Sequence, residues 1–408
     1  MHIVHLSLTN FRNYSHLELD LPTGAIVIQG DNAQGKTNLL EAIYYLSTMR
    51  SPRRSADREL VNWLAMDDDL PFARLVAQIQ RAGEVDQIEL SLVQSVRQRP
   101  NANGPVLRKH IRVNGANKRV SEAVGLLNAV LFMPQDLELV TGSPHVRRRY
   151  LDDTICQMDP QYCRALQEYG RVLTQRNYLL RSLRGQADES QLLFWDQRLV
   201  EHGAYLTWRR QQALQHLDEL VQDIHPRLTD GRERLRLQYC ASVSMEQRPG
   251  SAYQMPLPAS QQATAEVNAS LQIISASFHA QLQEARAREL EQGVSTVGPH
   301  RDDLLFLVNG VDMNAFGSRG QQRTITLSMK LAEVAWLKEE KNDEPVILLD
   351  DVASELDASH RDCLLEAIEN AQQVLMTTTG LLHLDRGFLE RATLWRVAAG
   401  RIGSLTLP

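Results

Sequence analysis

Gly30-Asp31-Asn32-Ala33-Gln34-Gly35-Lys36-Thr37 holds two glycines with four residues between them, followed at once by lysine and threonine. Each residue type suits a polyphosphate. The glycines let backbone N–H groups close around the phosphates, Lys36 reaches the β and γ oxygens, and the Thr37 hydroxyl ligates Mg²⁺. The flanks fit the same purpose. Residues 25–28 are a short apolar run that reads as a buried strand entering the loop. Residues 38–48, with Leu39, Leu40, Ile43, Tyr44 and Leu46 on one face, read as the helix leaving it. Asp31, Asn32, Ala33, Gln34 and Asn38 therefore count with Gly30, Gly35, Lys36 and Thr37 as nucleotide-binding positions, in an α/β setting of strand, loop and helix.

The complement of this loop lies near the other end of the chain. Pro345-Val346-Ile347-Leu348-Leu349-Asp350-Asp351 is an apolar run ending in two carboxylates. Parallel strands present their carboxyl ends on one edge of a sheet, so Asp350 is placed to serve Mg²⁺ opposite Thr37. Asp351, one residue on, points away from it toward an attacking water, as a candidate general base. Loop and acids together predict an ATP- and Mg²⁺-dependent nucleoside triphosphatase. Ser318-Arg319-Gly320-Gln321 opens a strong helical pattern and offers a hydroxyl, a close-approach glycine and a helix N-terminus to a γ-phosphate. A phosphate already held by residues 30–37 needs no second cradle from the same copy. The pattern predicts a site completed in trans, with two ATPs between two copies of the chain.

At 408 residues the chain is long for one domain, and two or three are expected. A formal net charge of −6 does not describe a protein coated in nucleic acid, so any DNA contact must come from local basic patches. One such stretch exists. Between Glu89 and Glu122 there is no acidic residue, while Arg97, Arg99, Arg108, Lys109, Arg112, Lys118 and Arg119 all fall within the gap. They are candidate phosphate-backbone contacts, weighed against the commoner case of a solvated charged face. The four cysteines lack Cys-x-x-Cys spacing, which argues against zinc and a disulfide framework and for a reducing cytoplasm. No apolar run approaches the ~20 residues a membrane span requires.

The texture of the chain changes twice. Alternating runs near residues 2–9, 17–21 and 73–93 read as strands, the last a hairpin turned at Ala82-Gly83-Glu84. From Pro160 long helical patterns take over, one of them a ~35-residue helix of roughly 50 Å that could stand out as an arm and that Pro226 ends. Strand-like texture returns near Gly298. The expected organisation is an N-terminal lobe over 1–150, a helical arm over 151–294 and a C-terminal lobe over 295–408. Arg12, in Asn10-Phe11-Arg12-Asn13-Tyr14, reads evenly as a nucleotide contact or as a solvated turn.

Taken in order, Asn10 to Tyr14, the phosphate loop, Asp136-Leu137-Glu138-Leu139-Val140 with Arg147-Arg148-Arg149, Gly298-Pro299-His300-Arg301-Asp302-Asp303-Leu304, Gly317-Ser318-Arg319-Gly320-Gln321-Gln322-Arg323-Thr324 and Leu348-Leu349-Asp350-Asp351 resemble the bacterial RecF family over essentially the whole chain. The loop is shared with many ATPases; the Gly-Pro-His-Arg-Asp-Asp-Leu and Gly-Gln-Gln-Arg-Thr strings are the specific ones. The resemblance implies an α/β, ABC-type P-loop ATPase domain like the head of SMC proteins, with an inserted α-helical arm domain. It also implies ATP-dependent homodimerisation, slow DNA-stimulated hydrolysis, and binding of duplex DNA and single/double-strand junctions. Action in DNA replication, recombinational repair and the SOS response follows, with a RecR-like mediator and, indirectly, RecA as partners. Carried over by position, Asp350 is the Walker B acid, Asp351 the catalytic carboxylate, Ser318 the signature serine and residues 354–357 the D-loop.

Gln135 stands where many relatives have Glu, and the resemblance gives it a role at the γ-phosphate or metal. Arg319 occupies a variable place, the loops at 95–110 and 246–263 look longer than the family needs, and any of Thr377-Thr378-Thr379 could meet the nucleotide. Two rivals remain at this stage: the ATPase subunit of a membrane transporter, opposed by the long helical insertion, and a small-molecule P-loop kinase, which has no need of Ser318.

Overall fold

The computed structural model describes residues 1–53, 56–67, 71–94, 107–183, 190–243, 259–352, 356–381 and 384–405. Three sheets organise it. β1 (His2–Phe11), β2 (Tyr14–Asp20), β4 (Phe72–Arg81), β5 (Glu84–Gln94), β6 (Leu107–Val113) and β7 (Ala116–Asn117) form an antiparallel sheet in the order β2-β1-β4-β5-β6-β7. β3 (Gly24–Gln29), β8 (Ala129–Phe132), β12 (Val346–Asp350), β13 (Gln373–Thr378), β14 (Thr393–Ala398) and β15 (Arg401–Ser404) form a second, in the order β15-β14-β3-β13-β12-β8. β9 (Leu235–Cys240), β10 (Asp303–Val308) and β11 (Val311–Asp312) make the third.

The second sheet is parallel except for the β14–β15 hairpin. Its strands β8, β12 and β13 are buried at every residue, which is why they read as unbroken apolar runs. Register sets the site. Asp350 pairs with Thr377, and Thr377 with Ile28, so the carboxyl ends of β12, β13 and β3 finish level along one edge. Helix α1 (Lys36–Thr48) leaves from that edge.

The first sheet alternates instead, because only one face is covered. Leu8, Leu75, Leu90 and Ile111 line its buried face across four strands. On β6 the same period of two turns Arg108, His110 and Arg112 outward.

Between the sheets run α2 (Pro144–Met158), α3 (Pro160–Ser182), α4 (Ser190–Leu228) and α5 (Ala259–Gln292); α6 (Arg319–Lys341) and α7 (Ala358–Ile368) flank β12. Two expectations change here. The stretch 151–294, read as a helical arm with loop between its helices, contains β9, whose Leu235 and Leu237 alternate inward while Leu304 pairs with Tyr239. Six residues between long helical patterns gave too short a period-two signal to notice. Pro226 also does not end its helix: α4 runs on to Leu228, two residues past a proline that removes one backbone bond and crowds the carbonyl four residues before it. Nor is α4 free-standing along its length. Leu180, Leu183 and Leu192 form a small separate cluster, but from Leu199 to Leu228 its apolar residues belong to the main core.

Buried ion pairs tie the helices to the sheets. Arg210 of α4 grips Asp152 of α2 at 2.8 Å and donates to Pro299 O at 2.7 Å. Asp302 is fully buried and accepts from Ser242 N at 2.7 Å, from the Tyr239 hydroxyl and from Arg210. Arg147 holds Asp303 through Nε and Nη2 at 2.7 and 2.9 Å, and Arg148 donates to Asp302 O at 2.6 Å. The family-specific strings around Arg147 and Asp302 are thus halves of one junction. Removing one member of a buried pair strands its partner, at about 3–5 kcal/mol. Asp302→Ala should therefore lose that much in urea unfolding, with Asp302→Asn losing less; equal, sub-1 kcal/mol losses, roughly what an exposed pair contributes, would show that the junction is not what joins these elements.

Candidate nucleotide site

Two turns from opposite ends of the chain brace the phosphate loop. Asn13 Nδ2 donates to Gln34 O at 3.1 Å and the Tyr14 hydroxyl to Gly35 O at 3.0 Å. From the β14–β15 turn, Ala399 N donates to Gln34 Oε1 at 2.6 Å and Gly400 N to Gln34 O at 3.2 Å. The fit is tight at both glycines. Gly35 has φ of +113°, and a Cβ there would lie 2.4 Å from Asn13 Nδ2; one on Gly30 would lie 2.5 Å from Val397 O. Ala33 also takes a left-handed φ, of +64°. Lys36 is buried, its ammonium donating to Gly30 O at 2.6 Å and Asp31 O at 2.9 Å, which holds it inside the loop. Asn38 Nδ2 donates to Asn13 Oδ1 at 2.8 Å.

Across the edge of the sheet stand the acids. The Thr37 hydroxyl donates to Asp350 Oδ1 at 2.9 Å, and Thr377 Oγ1 donates to the same oxygen at 2.8 Å. Of the three threonines it is thus Thr377 that meets the acid; Thr378 Oγ1 turns to Gly380 O at 2.7 Å. Burial pushes the Asp350 carboxyl above its ordinary range, opposed by the two hydroxyls and by the charge of Arg53. Asp351 sits at φ +55°, unusual for a residue with a side chain, and its N–H donates to Thr377 Oγ1 at 3.0 Å. A hydroxyl and a carboxylate as hard oxygen donors, one of them desolvated, fit Mg²⁺. Thr37 and Asp350 would hold the cation; among the described residues no group of three His, Cys, Asp or Glu gathers as a separate metal site.

Ser318 caps α6. Its Oγ accepts from Gln321 N at 3.3 Å, Gln321 Oε1 accepts from Ser318 N at 3.1 Å, and Ser318, Arg319 and Gly320 are exposed. Farther along α6, Thr326 Oγ1 lies 3.5 Å from Asp136 O, beside the end of β8. Ser318, eight residues nearer the helix start, stands roughly 12 Å beyond that level. His360, held by Asp357 at 2.8 Å, reaches Thr324 of the same helix at 3.0 Å. Gln135 is exposed in the turn after β8 and borders, with Arg53 and Lys330, a cleft next to the acids.

A family model described as the RecF/RecN/SMC N-terminal domain matches residues 2–391. The DNA replication and repair protein RecF of Roseiflexus castenholzii is 40% identical over 410 residues, covering 98% of this chain and 99% of its own. The chain belongs to the RecF family. The RecF protein of Herpetosiphon aurantiacus is 41% identical over 412 residues, with the same coverage. Among solved structures, the recombination mediator protein RecF with ATP, of the RecFOR pathway, aligns at a TM-score of 0.81 and 29% identity over 99% of this chain and 98% of its own. An Smc head bound to the C-winged helix domain of ScpA aligns at 0.50 and 16% identity over 100% and 98%, a likeness of fold alone. The RecF-family fold of this chain is therefore the ABC-type α/β head shared with SMC proteins, carrying inserted helices.

Not every residue picked out from the sequence lands where its chemistry suggested. Arg12, at φ +52°, is neither solvated nor aimed at the loop: Nη2 and Nε bind the buried Glu41 at 2.8 and 3.0 Å, and Nη1 binds Glu59 O at 2.8 Å. Its neighbours Asn13 and Tyr14 are the ones that touch the loop, and the sequence offered no sign of it beyond adjacency. Lys109 faces inward, opposite Leu92, with Nζ 2.7 Å from Met49 O and 4.7 Å from the Tyr45 ring centre; burial lowers its pKa. Arg108, Arg112, Lys118 and Arg119 are exposed, with Arg112 beside Glu89 on the neighbouring strand. Arg97, Arg99, Ser354 and Glu355 lie outside the described residues, as do 95–106 and 244–258 of the two long loops. Sequence reasoning passed over Arg53, whose Nη1 donates to Asn38 Oδ1 at 3.3 Å.

The raised Asp350 pKa has a thermodynamic sign. A carboxyl whose folded pKa exceeds its unfolded one costs stability once ionised, a cost that grows as pH rises from the unfolded to the folded value and is complete above both. Asp350→Asn keeps an oxygen for both threonines and removes that cost. Without nucleotide it should melt a few degrees above the parent at pH 7, the gap closing toward acid, while Mg²⁺ and ATP no longer stabilise it. A variant that melts lower at pH 7 would mean the charge holds these strands together.

Proposed function

We propose that this protein is an ATP-dependent DNA-binding switch of DNA replication and recombinational repair. The observation that carries it is the Thr37–Asp350 contact across a braced phosphate loop, with the Ser318 turn standing out beyond it. Loop N–H groups and Lys36 hold the β- and γ-phosphates. Mg²⁺ would be held by Thr37 and Asp350, with Gln135 a further candidate, and would offset the phosphate charge. Asp351 orients and deprotonates water; Arg53, beside Asn38, adds positive charge on the same side. The Ser318 turn is exposed, and the reading has it, with Gly320 and Gln321, capping the γ-phosphate of a second copy. ATP binding then closes a homodimer, and slow hydrolysis opens it.

The full-length likeness to DNA replication and repair proteins supports DNA as the partner and weighs against a transporter subunit or a small-molecule kinase. Among the described residues no helix is long and apolar enough to cross a membrane. Arg108 and Arg112 on the outer sheet face, with Lys118 and Arg119 just after its last strand, are the proposed backbone contacts to duplex DNA and single/double-strand junctions, and DNA is read as stimulating hydrolysis. The finer reading places the dimer upstream of a RecR-like mediator and RecA loading in the SOS response.

Sedimentation with and without ATP and duplex DNA tests it. Lys36→Ala should lose ATP binding and the dimer together; Asp351→Asn should keep both and accumulate the ATP-bound dimer. Ser318→Arg should bind ATP as the parent does and stay monomeric. Normal dimerisation of Ser318→Arg removes the trans site. DNA affinity should fall steeply with salt, because counterion release dominates backbone binding.

A further inference from the structure

A second basic site lies at the opposite end of α1 from the phosphate loop. Thirteen residues of helix separate them, about 20 Å, so the two share no residue. Here a cavity of about 530 Å³ opens between the C-terminal end of α1, β6, α2, α3 and α4. Five cations line it: Arg50, Lys109, Arg148, Arg149 and Arg210.

Four of the five are paired. Arg50 and Arg149 share Asp153 at 3.0 and 3.4 Å, Arg210 grips Asp152 at 2.8 Å, and Lys109 lies 3.6 Å from Asp57. Arg148 is different: it donates to the main-chain oxygen of Asp302, and among the described residues no carboxylate pairs with it. Burial, then the neighbouring Arg210, lowers its pKa against the opposing charges of Asp152, Asp302 and Asp303, and burial lowers that of Lys109 against Asp57, so part of the cost of holding positive charge here is left for an anion to relieve. His300 adds no charge, since burial takes it down to about 4.

The opposite wall is apolar, from Leu166, Leu173 and Leu206, with Tyr169 beside them. Gly170 completes it. In the middle of a 23-residue helix a glycine costs stability, yet a Cβ at this position would meet nothing within 4 Å. Packing does not require the glycine, and a side chain here would extend into the open space of the cavity.

We propose that this cavity binds one nucleotide unit of a DNA strand, phosphate on Arg148 and sugar or base against the leucines. A planar guanidinium matches phosphate geometry, and the volume suits a ligand of that size. The DNA reading above supplies the source of the phosphate; the site itself rests on the unpaired arginine and the open wall.

Two variants test it. Arg148→Gln removes the charge; Gly170→Glu sets a carboxylate in the cavity without a clash, and Gly170→Gln is its neutral control. Anisotropy of a labelled oligonucleotide, followed across a salt series with ATP saturating, should show Arg148→Gln and Gly170→Glu weakened by about fivefold or more, with the Arg148→Gln salt slope smaller by about one. Gly170→Gln, which fills part of the cavity without adding charge, should weaken binding less than Gly170→Glu does, and all three should keep the parent's ATP affinity. If dAMP titrated onto the ATP-saturated protein binds the parent but neither charge variant, while oligonucleotide affinity is unchanged, the strand is the wrong source. Unchanged oligonucleotide and dAMP binding in both charge variants overturns the site alone. A parent that binds no oligonucleotide at any salt overturns the DNA reading together with it.

Discussion

A single carboxylate oxygen, Asp350 Oδ1, receives two hydroxyls, one from the helix after the phosphate loop and one from the next strand. That convergence depends on register: β3, β13 and β12 must end level, and a slip of one residue would turn Asp350 to the other face of the sheet. The rest of the head serves that alignment. The fully buried strands hold the sheet between its covering layers, and the two bracing turns hold the loop in a backbone path that Gly35 and Ala33 take at positive φ.

The parts of the site that bind phosphate were legible because chemistry leaves few alternatives. Lys36, Thr37 and the two acids follow from residue type and spacing alone, and the strand and helix around the loop follow from their apolar pattern. What could not be read was support. Asn13 and Ala399 reach the loop by tertiary contact, and Arg12 looked the better candidate only because it carries a charge, which the buried Glu41 claims. Lys109 was a different kind of miss. The alternation of Arg108, Lys109, His110 and Ile111 already implied that one cation faces inward, and the run of basic residues hid the period of two.

One of the two family-specific strings has an architectural role. The arginines after residue 146 and the Gly-Pro-His-Arg-Asp-Asp run meet in one buried junction with Arg210, where the inserted helices join the sheets. A sequence pattern this specific invites a catalytic reading. Burying charge is geometrically strict: Arg147 and Arg210 each meet a carboxylate here, and Arg148 meets the main-chain oxygen of Asp302.

The β14–β15 hairpin, whose turn touches Gln34, has a practical consequence. Anything that tugs on that ribbon, whether a purification tag fused behind Ser404 or a shortened reading frame, acts on the residues that shape the loop before it acts on anything else. An engineer wanting a handle on this enzyme should hang it elsewhere.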